Sequence, residues 1–248
     1  MKLILAKDEA ALGELAAKKF IEVIHKKHDA VLGLATGSSP LSTYAALVDA
    51  YRRGEVSFKE VRTLNLDEYV GLDANDEQSY HRFMRENLFD LVDIKPENTY
   101  VPNGTIDPDA ACGEYDALLD RYPIDLQLLG IGGNGHLGFN EPGTPFSSRT
   151  HLVNLTEKTR HDNSRLFASI DEVPKQAITT GIRDILRAKE ILLVVMGENK
   201  ANAVAKMFQD PLSEDCPATV LRTHPNVTII ADHAALKYLT EQELEALK

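Results

Sequence analysis

The chain has 248 residues, 43% of them hydrophobic and 26% charged, with a formal net charge of −11, the profile of a globular protein with one large α/β domain or two small ones. The acidic balance argues against a broad nucleic-acid footprint, which needs a clustered basic face, but a small anion can still be held in a locally positive pocket. Cys112 and Cys216 stand far apart and outside any metal-like spacing, so they read as two reduced thiols rather than a disulfide or a metal site.

The first apolar run, "LILA" at residues 3–6, is too short for a signal peptide or a membrane span; a cytoplasmic protein is expected. Residues 8–27 place Leu12, Leu15, Ala16, Phe20, Val23 and Ile24 on one helical face. "AVLGLA" (30–35) is a continuous apolar run, the signature of a strand covered on both sides. A helix over about 40–51 follows, then a strand over 61–67 that ends at Asp67. Ser79 is placed to cap a helix over 79–92, and Asp107 with Pro108 at the first helical position opens another. "DLQLLGI" (125–131) is the next strand, and "HLVNLT" (151–156) a weaker one. Helices are predicted near 160–170 and 181–188, a strand over 190–197, and helices over 198–209 and 218–223. A strand over 227–231 and a terminal amphipathic piece complete the chain. Strand–helix alternation of this length implies an α/β fold: a Rossmann-like, mostly parallel sheet with helices on both faces, in a single domain. The polar segment of about 151–180 breaks the rhythm and reads as a flap over the site.

In such sheets ligands bind outside the carboxyl ends of the strands, so those ends carry the candidate chemistry. After residues 30–35 comes "TGSSP": Thr36, Ser38 and Ser39 offer hydroxyls, and Gly37 close backbone approach, beside the free N–H groups of a helix start. This is an anion cradle or an ordinary hydroxyl-capped turn; it is not a Walker loop, since the Gly-Lys-Ser/Thr ending is missing. Asp67 ends its strand as a general base or as a solvated turn residue. The third end is "GIGGNGHLGFNEPG". Gly130, Gly132 and Gly135 fit G-x-G-x-x-G, but Gly138, Pro142 and Gly143 break any helix that should follow, so a dinucleotide is disfavoured. Asn134, His136 and Glu141 around one turn read as an imidazole oriented and made more basic by an acid. Lys200, at the start of a helix, is a solvated surface lysine or, because it is unfavourable with the helix dipole unless it meets an anion, part of an anion site; Arg165 in the flap segment is a surface residue or a clamp on a phosphate. No Cys/His/Asp cluster has zinc spacing and no G-x-S-x-G elbow is present. The chemistry implied is acid–base work on a small phosphorylated molecule, without metal, cofactor or covalent intermediate.

The stretches "LGLATGSSP", "LNLDEYVGL", "GIGGNGHLGFNEPG", "TRHDNSRLF" and "GENKA", in this order over nearly the whole chain, resemble the glucosamine-6-phosphate deaminase (isomerase) family. The resemblance implies reversible conversion of D-glucosamine 6-phosphate and water to D-fructose 6-phosphate and ammonia, an aldose–ketose isomerisation with deamination in amino-sugar catabolism. It further implies that His136 opens the pyranose ring with Glu141 and Asn134 as its relay, and that Asp67 moves the proton from C2 to C1. Thr36, Gly37, Ser38, Arg165 and Lys200 then hold the phosphate, with Ser39 and Gly132 in the same site. Two departures matter. The better-known members have Asp where this chain has Asn134; an amide orients the ring but carries no charge. The hexameric, allosteric members have basic residues after "SRT" and a longer carboxyl end, where this chain has His151 and Leu152 and stops at Lys248. A monomer or low-order homo-oligomer with hyperbolic kinetics is therefore expected, with a sugar phosphate as its only partner and no membrane or nucleic acid. The alternatives are a 6-phosphogluconolactonase-like hydrolase and a sugar-phosphate-binding regulator without turnover.

Overall fold

The protein's structure, a computed structural model, describes residues 1–157, 160 and 169–247. Seven parallel strands form the main sheet, in the order β1 (Lys2–Leu5), β10 (Val227–Ala231), β9 (Glu190–Val195), β6 (Leu126–Leu129), β2 (Val31–Leu34), β3 (Arg62–Asn65) and β5 (Thr99–Tyr100). Strands β2 and β9 are almost wholly apolar because both of their faces are covered. On β9, Leu192 and Val194 join one core while Ile191, Leu193 and Val195 join the other, all 2% exposed or less. Helices α1 (Glu9–Lys26), α2 (Leu41–Arg52) and α3 (Tyr80–Asn87) cover the first face. Helices α4 (Pro108–Arg121), α5 (Ile182–Ile185) and α6 (Ala201–Gln209) cover the second. A last short helix, α7 (Glu241–Glu245), starts with a capping box between Thr240 and Glu243. The single α/β domain and its mostly parallel sheet match the sequence expectation.

Capping follows the sequence closely. Asp8, Ser79 and Asp107 accept from the N–H groups of Ala11, Arg82 and Ala110 at 2.8, 3.1 and 3.1 Å, each cap contributing about 1 kcal/mol.

The expected strand over 61–67 is instead two strands in two sheets. Leu66 is the branch point. Its N–H still donates to the Leu34 carbonyl at 2.9 Å, but its own carbonyl accepts from Thr180 at 2.7 Å. The chain then enters β4 (Asp67–Tyr69), the edge of a three-stranded antiparallel sheet, β4-β8-β7, with β8 (Gln176–Thr179) central and β7 (His151–Asn154) outermost. The two ends of the polar 151–180 segment are thus strands, and Tyr69, Tyr80, Phe139, Leu155 and Ala177 form a small core beneath them. The helix predicted near 160–170 falls largely outside the described residues. Residues 2–5, read only as too short for a leader, are the edge strand β1.

Candidate active site

Strands β9, β6, β2 and β3 are consecutive neighbours in the sheet, so their carboxyl ends lie side by side. From β2 the chain steps outward through β3 and β5, then returns to the other side of β2 with β6 and continues to β9 and β10. The reversal opens a crevice between β2 and β6, the usual ligand position in this architecture. A cavity of about 220 Å³ sits there, lined by Thr36, Gly37, Ser38, Ser39, Asp67, Gly132, His136 and Lys200. It is a concave, partly polar recess of the kind that takes a small polar molecule. The glycine loop after β6 leads into no helix before β7, which removes the helix N-terminus a dinucleotide would need.

One end of the cavity suits an anion. Thr36–Ser39 line it and precede α2, whose start no side chain among the described residues caps, and a helix start favours negative charge. Lys200, in the cavity wall, is the residue that starts α6. Arg165 lies outside the described residues.

At the other end, Asp67 is paired with Thr179 through the backbone and its side chain is 5% exposed. Burial pushes its carboxyl up to about 8, and the neighbouring Glu68 charge adds to the rise. The phenols of Tyr44, Tyr80 and Tyr115 feel its charge, and burial raises each of them as well, so all three are neutral partners. Gly138, at φ 58°, passes so close that a Cβ would sit 3.2 Å from Asp67 Oδ2 and 3.1 Å from Thr179 Oγ1. Only glycine adopts that backbone without strain and lets the loop close over the carboxyl. Thr179 Oγ1 in turn accepts from Phe139 N–H at 3.1 Å, and Asn140 Nδ2 donates to the Thr180 carbonyl at 2.9 Å. The loop after β6 is thereby fastened to β8.

That loop also places His136. Gly132 N–H donates to the His136 carbonyl at 3.0 Å, and the imidazole lies directly over Gly132, where any Cβ would collide with the ring. Glu141, 8% exposed, stands behind the ring with Oε2 at 3.7 Å from Nδ1. Asn134 Nδ2 donates to that same oxygen at 2.7 Å, and Asn134 Oδ1 accepts from His136 N–H at 3.2 Å. His136 Nδ1 itself is buried and makes no hydrogen bond among the described residues. The amide at position 134 therefore tethers the carboxylate to the loop backbone. The structure brings Thr36, Gly37, Ser38, Ser39, Asp67, Gly132, His136 and Lys200 to one cavity, with Asn134 and Glu141 stacked behind His136.

Two features were not read from the sequence. Tyr80 and Phe139 form an aromatic wall of the cavity, their rings stacked at 6.2 Å. Nothing in the spacing around Ser79 marks Tyr80 as more than a first-turn residue. Glu68, the next residue on β4, is absent from the cavity wall and fully buried. Strand alternation puts the two acids on opposite faces, but only the fold decides which one meets the cavity.

A family model described as glucosamine-6-phosphate isomerases/6-phosphogluconolactonase matches residues 7–230. Glucosamine-6-phosphate deaminase from Bacillus cytotoxicus is 50% identical over 242 residues, which cover 97% of this chain and 90% of that protein. The deaminase from Oceanobacillus iheyensis is 51% identical over 239 residues, 96% of each. A solved structure of a monomeric glucosamine-6-phosphate deaminase superposes with a TM-score of 0.94 at 46% identity, over 96% of this chain and 100% of that one. A 6-phosphogluconolactonase from Trypanosoma cruzi superposes with a TM-score of 0.77 at 19% identity, over 96% of this chain and 97% of that one, a likeness of fold alone.

Proposed function

This chain belongs to the glucosamine-6-phosphate isomerase/6-phosphogluconolactonase family, and from that premise we propose that it is a glucosamine-6-phosphate deaminase, converting D-glucosamine 6-phosphate and water to D-fructose 6-phosphate and ammonia. The observation that carries the mechanism is a buried carboxyl and an acid-backed imidazole on one small cavity, from the ends of β3 and β6 on either side of β2. The two groups have separate tasks. His136 exchanges the proton between O1 and the ring oxygen, which opens the pyranose; Glu141 steadies the imidazolium formed on the way. Asp67, ionised, takes the proton from C2 of the open chain, giving an enolamine. The same group returns that proton to C1, which is adjacent and on the same face. The resulting C2 imine adds water and expels ammonia, leaving the ketose. Burial makes Asp67 a stronger base than a solvated carboxylate, which narrows the gap to a weakly acidic C–H.

Thr36–Ser39, the α2 amides, Lys200 and Arg165 hold the phosphate in this reading. Phosphate binding is common to ground and transition states, so Lys200→Ala raises KM about 10-fold or more with kcat within a few-fold. A fall in kcat at unchanged KM removes Lys200 from the phosphate site.

Ammonia release from glucosamine 6-phosphate by the purified protein is the direct test, and lactone hydrolysis without ammonia release reverses the assignment. No described helix is long and apolar enough to cross a membrane. Both cysteines are free thiols, consistent with a cytoplasmic enzyme of amino-sugar breakdown whose partner is a sugar phosphate. We expect a monomer or low-order homo-oligomer; the solved deaminase it resembles is described as monomeric. Its saturation curve is hyperbolic and unchanged by N-acetylglucosamine 6-phosphate. A sigmoidal curve that this compound makes hyperbolic refutes the expectation.

A further inference from the structure

Glu68 lies one residue beyond the base and has no place in the scheme above, yet it is a fully buried acid. Its two oxygens meet four N–H donors. Oε1 accepts from the amides of Tyr69 at 2.8 Å and Tyr80 at 3.0 Å; Oε2 accepts from the amide of His81 and from its imidazole Nδ1, both at 3.0 Å. Three of the four partners are backbone N–H groups, a cradle that favours the carboxylate form, in which His81 Nδ1 carries the proton between the two side chains. Two of the amides are the first of α3, where the free N–H groups and the helix dipole favour a negative charge. Ser79 takes the next, from Arg82. The anion is thus bolted to the start of the helix that carries Tyr80 into the cavity wall, while its own strand carries Asp67.

We propose that Glu68 is a positioning residue for the proton transfer at Asp67: it locks β4 to the start of α3, so that Tyr80 stands against the cavity, and it keeps a fixed negative charge behind the base. The inference rests on the deaminase reading and deepens it. The groups facing Asp67 are few. Glu68 adjoins it on β4; the phenols of Tyr44 on α2, Tyr80 on α3 and Tyr115 on α4 are all raised by burial and neutral; His136 and Lys200 share its cavity. Glu68 is therefore the only anion among the described residues that these contacts set against Asp67, and it is the one charged neighbour that works with burial to raise it.

The test is the pH dependence of kcat/KM for ammonia release, which reports the free enzyme's base. In the unaltered protein the rate rises with pH to a midpoint near 8. Glu68→Gln keeps the shape and removes the charge. Its midpoint falls by about half to one unit, the size of a like-charge effect at partly screened distance. Glu68→Asp keeps the charge but is too short for all four donors, so kcat falls about 10-fold or more with the midpoint in place. A folded Glu68→Gln protein whose midpoint does not move overturns the proposal, because a purely structural residue would lower the rate without displacing the profile. Should that variant not fold, His81→Leu makes the same measurement from the surface. It leaves the amides in place and removes one donor that drains charge from Oε2, so the midpoint rises by a few tenths of a unit. A midpoint that stays or falls overturns the proposal. Absence of ammonia release from the unaltered protein is a different failure, that of the deaminase reading itself.

Discussion

Asp67→Asn lowers kcat for ammonia release about 10⁴-fold, near the upper end of what one general base contributes, and leaves KM within a few-fold. The substitution keeps size and burial but removes the only group proposed to take the C2 proton, so the loss falls on the chemical step rather than on binding. The same variant has a second readout, in stability. A carboxyl that titrates near 3.9 in the unfolded chain and at about 8 in the folded one binds its proton more tightly when folded. Its contribution to stability is complete below about pH 4 and is lost as pH rises toward about 8, because the unfolded chain then holds fewer protons than the folded one. Denaturant titrations of the unaltered protein between those limits show a decline of up to a few kcal/mol from this group. Asp67→Asn lacks that decline and is the more stable protein at about pH 8.5, where its counterpart holds a buried charge. An active Asp67→Asn enzyme refutes the base assignment. An identical pH–stability slope in both proteins refutes the raised carboxyl.

The parts of the fold that were legible in sequence are those fixed by local rules. Residues 190–195 and 227–231 read as strands because they are almost wholly apolar, and Ser79 and Asp107 read as caps because their side chains bond within one helical turn. What was not legible depends on distant pairing. β8 lies in a polar segment and exists because β4 and β7 bond to both of its edges. β1 has one partner, β10, more than two hundred residues away in the chain, and its exposed ends mask the apolar pattern. The break at Leu66 leaves no mark on "VRTLNLD", whose apolar spacing runs through it; Thr180 makes the break by taking the Leu66 carbonyl.

The site divides in the same way. The chemistry of "TGSSP", Asp67, "GIGGNGHLGFNEPG" and Lys200 was readable as strand-end residues, since each end could be found from its own strand. That they meet was expected from the rule that ligands bind outside strand carboxyl ends; which ends adjoin was not legible, because strand order is a property of the whole sheet. Nor could the sequence separate Asp67 from Glu68. The first has a raised carboxyl because it is buried in the cavity wall; the second is held by the amides of Tyr69, Tyr80 and His81 and by the His81 imidazole. Two adjacent acids acquire different surroundings because successive side chains of a strand point to opposite faces.

His136→Gln lowers kcat/KM for the cyclic substrate by about 10²- to 10³-fold, the usual range for losing one proton-transfer group, while an open-chain amino-polyol phosphate still binds within a few-fold. Glutamine fills much of the same space and can hydrogen-bond the ring oxygen, but it cannot take and return a proton near neutral pH. The order of steps sharpens the test. Ring opening precedes C2–H cleavage, so slowing it hides the later step. Substrate carrying deuterium at C2 then shows little or no isotope effect on kcat/KM in His136→Gln. A large isotope effect retained in that variant would mean that C–H cleavage still limits the rate and that another group opens the ring. Gly132→Ala reaches the same end by sterics alone: its methyl occupies the place of the imidazole, so the ring must swing off its seat while Asp67, on another strand, is untouched. It reproduces the isotope signature without altering any ionisable group. The 3.7 Å between His136 Nδ1 and Glu141 Oε2 is consistent with this scheme, since hydrogen bonds of a catalytic pair are often long before substrate arrives and shorten as charge develops. The pair lacks a second anion, because position 134 is an amide that already holds Glu141 at 2.7 Å; the imidazolium that forms during ring opening is therefore balanced by one carboxylate.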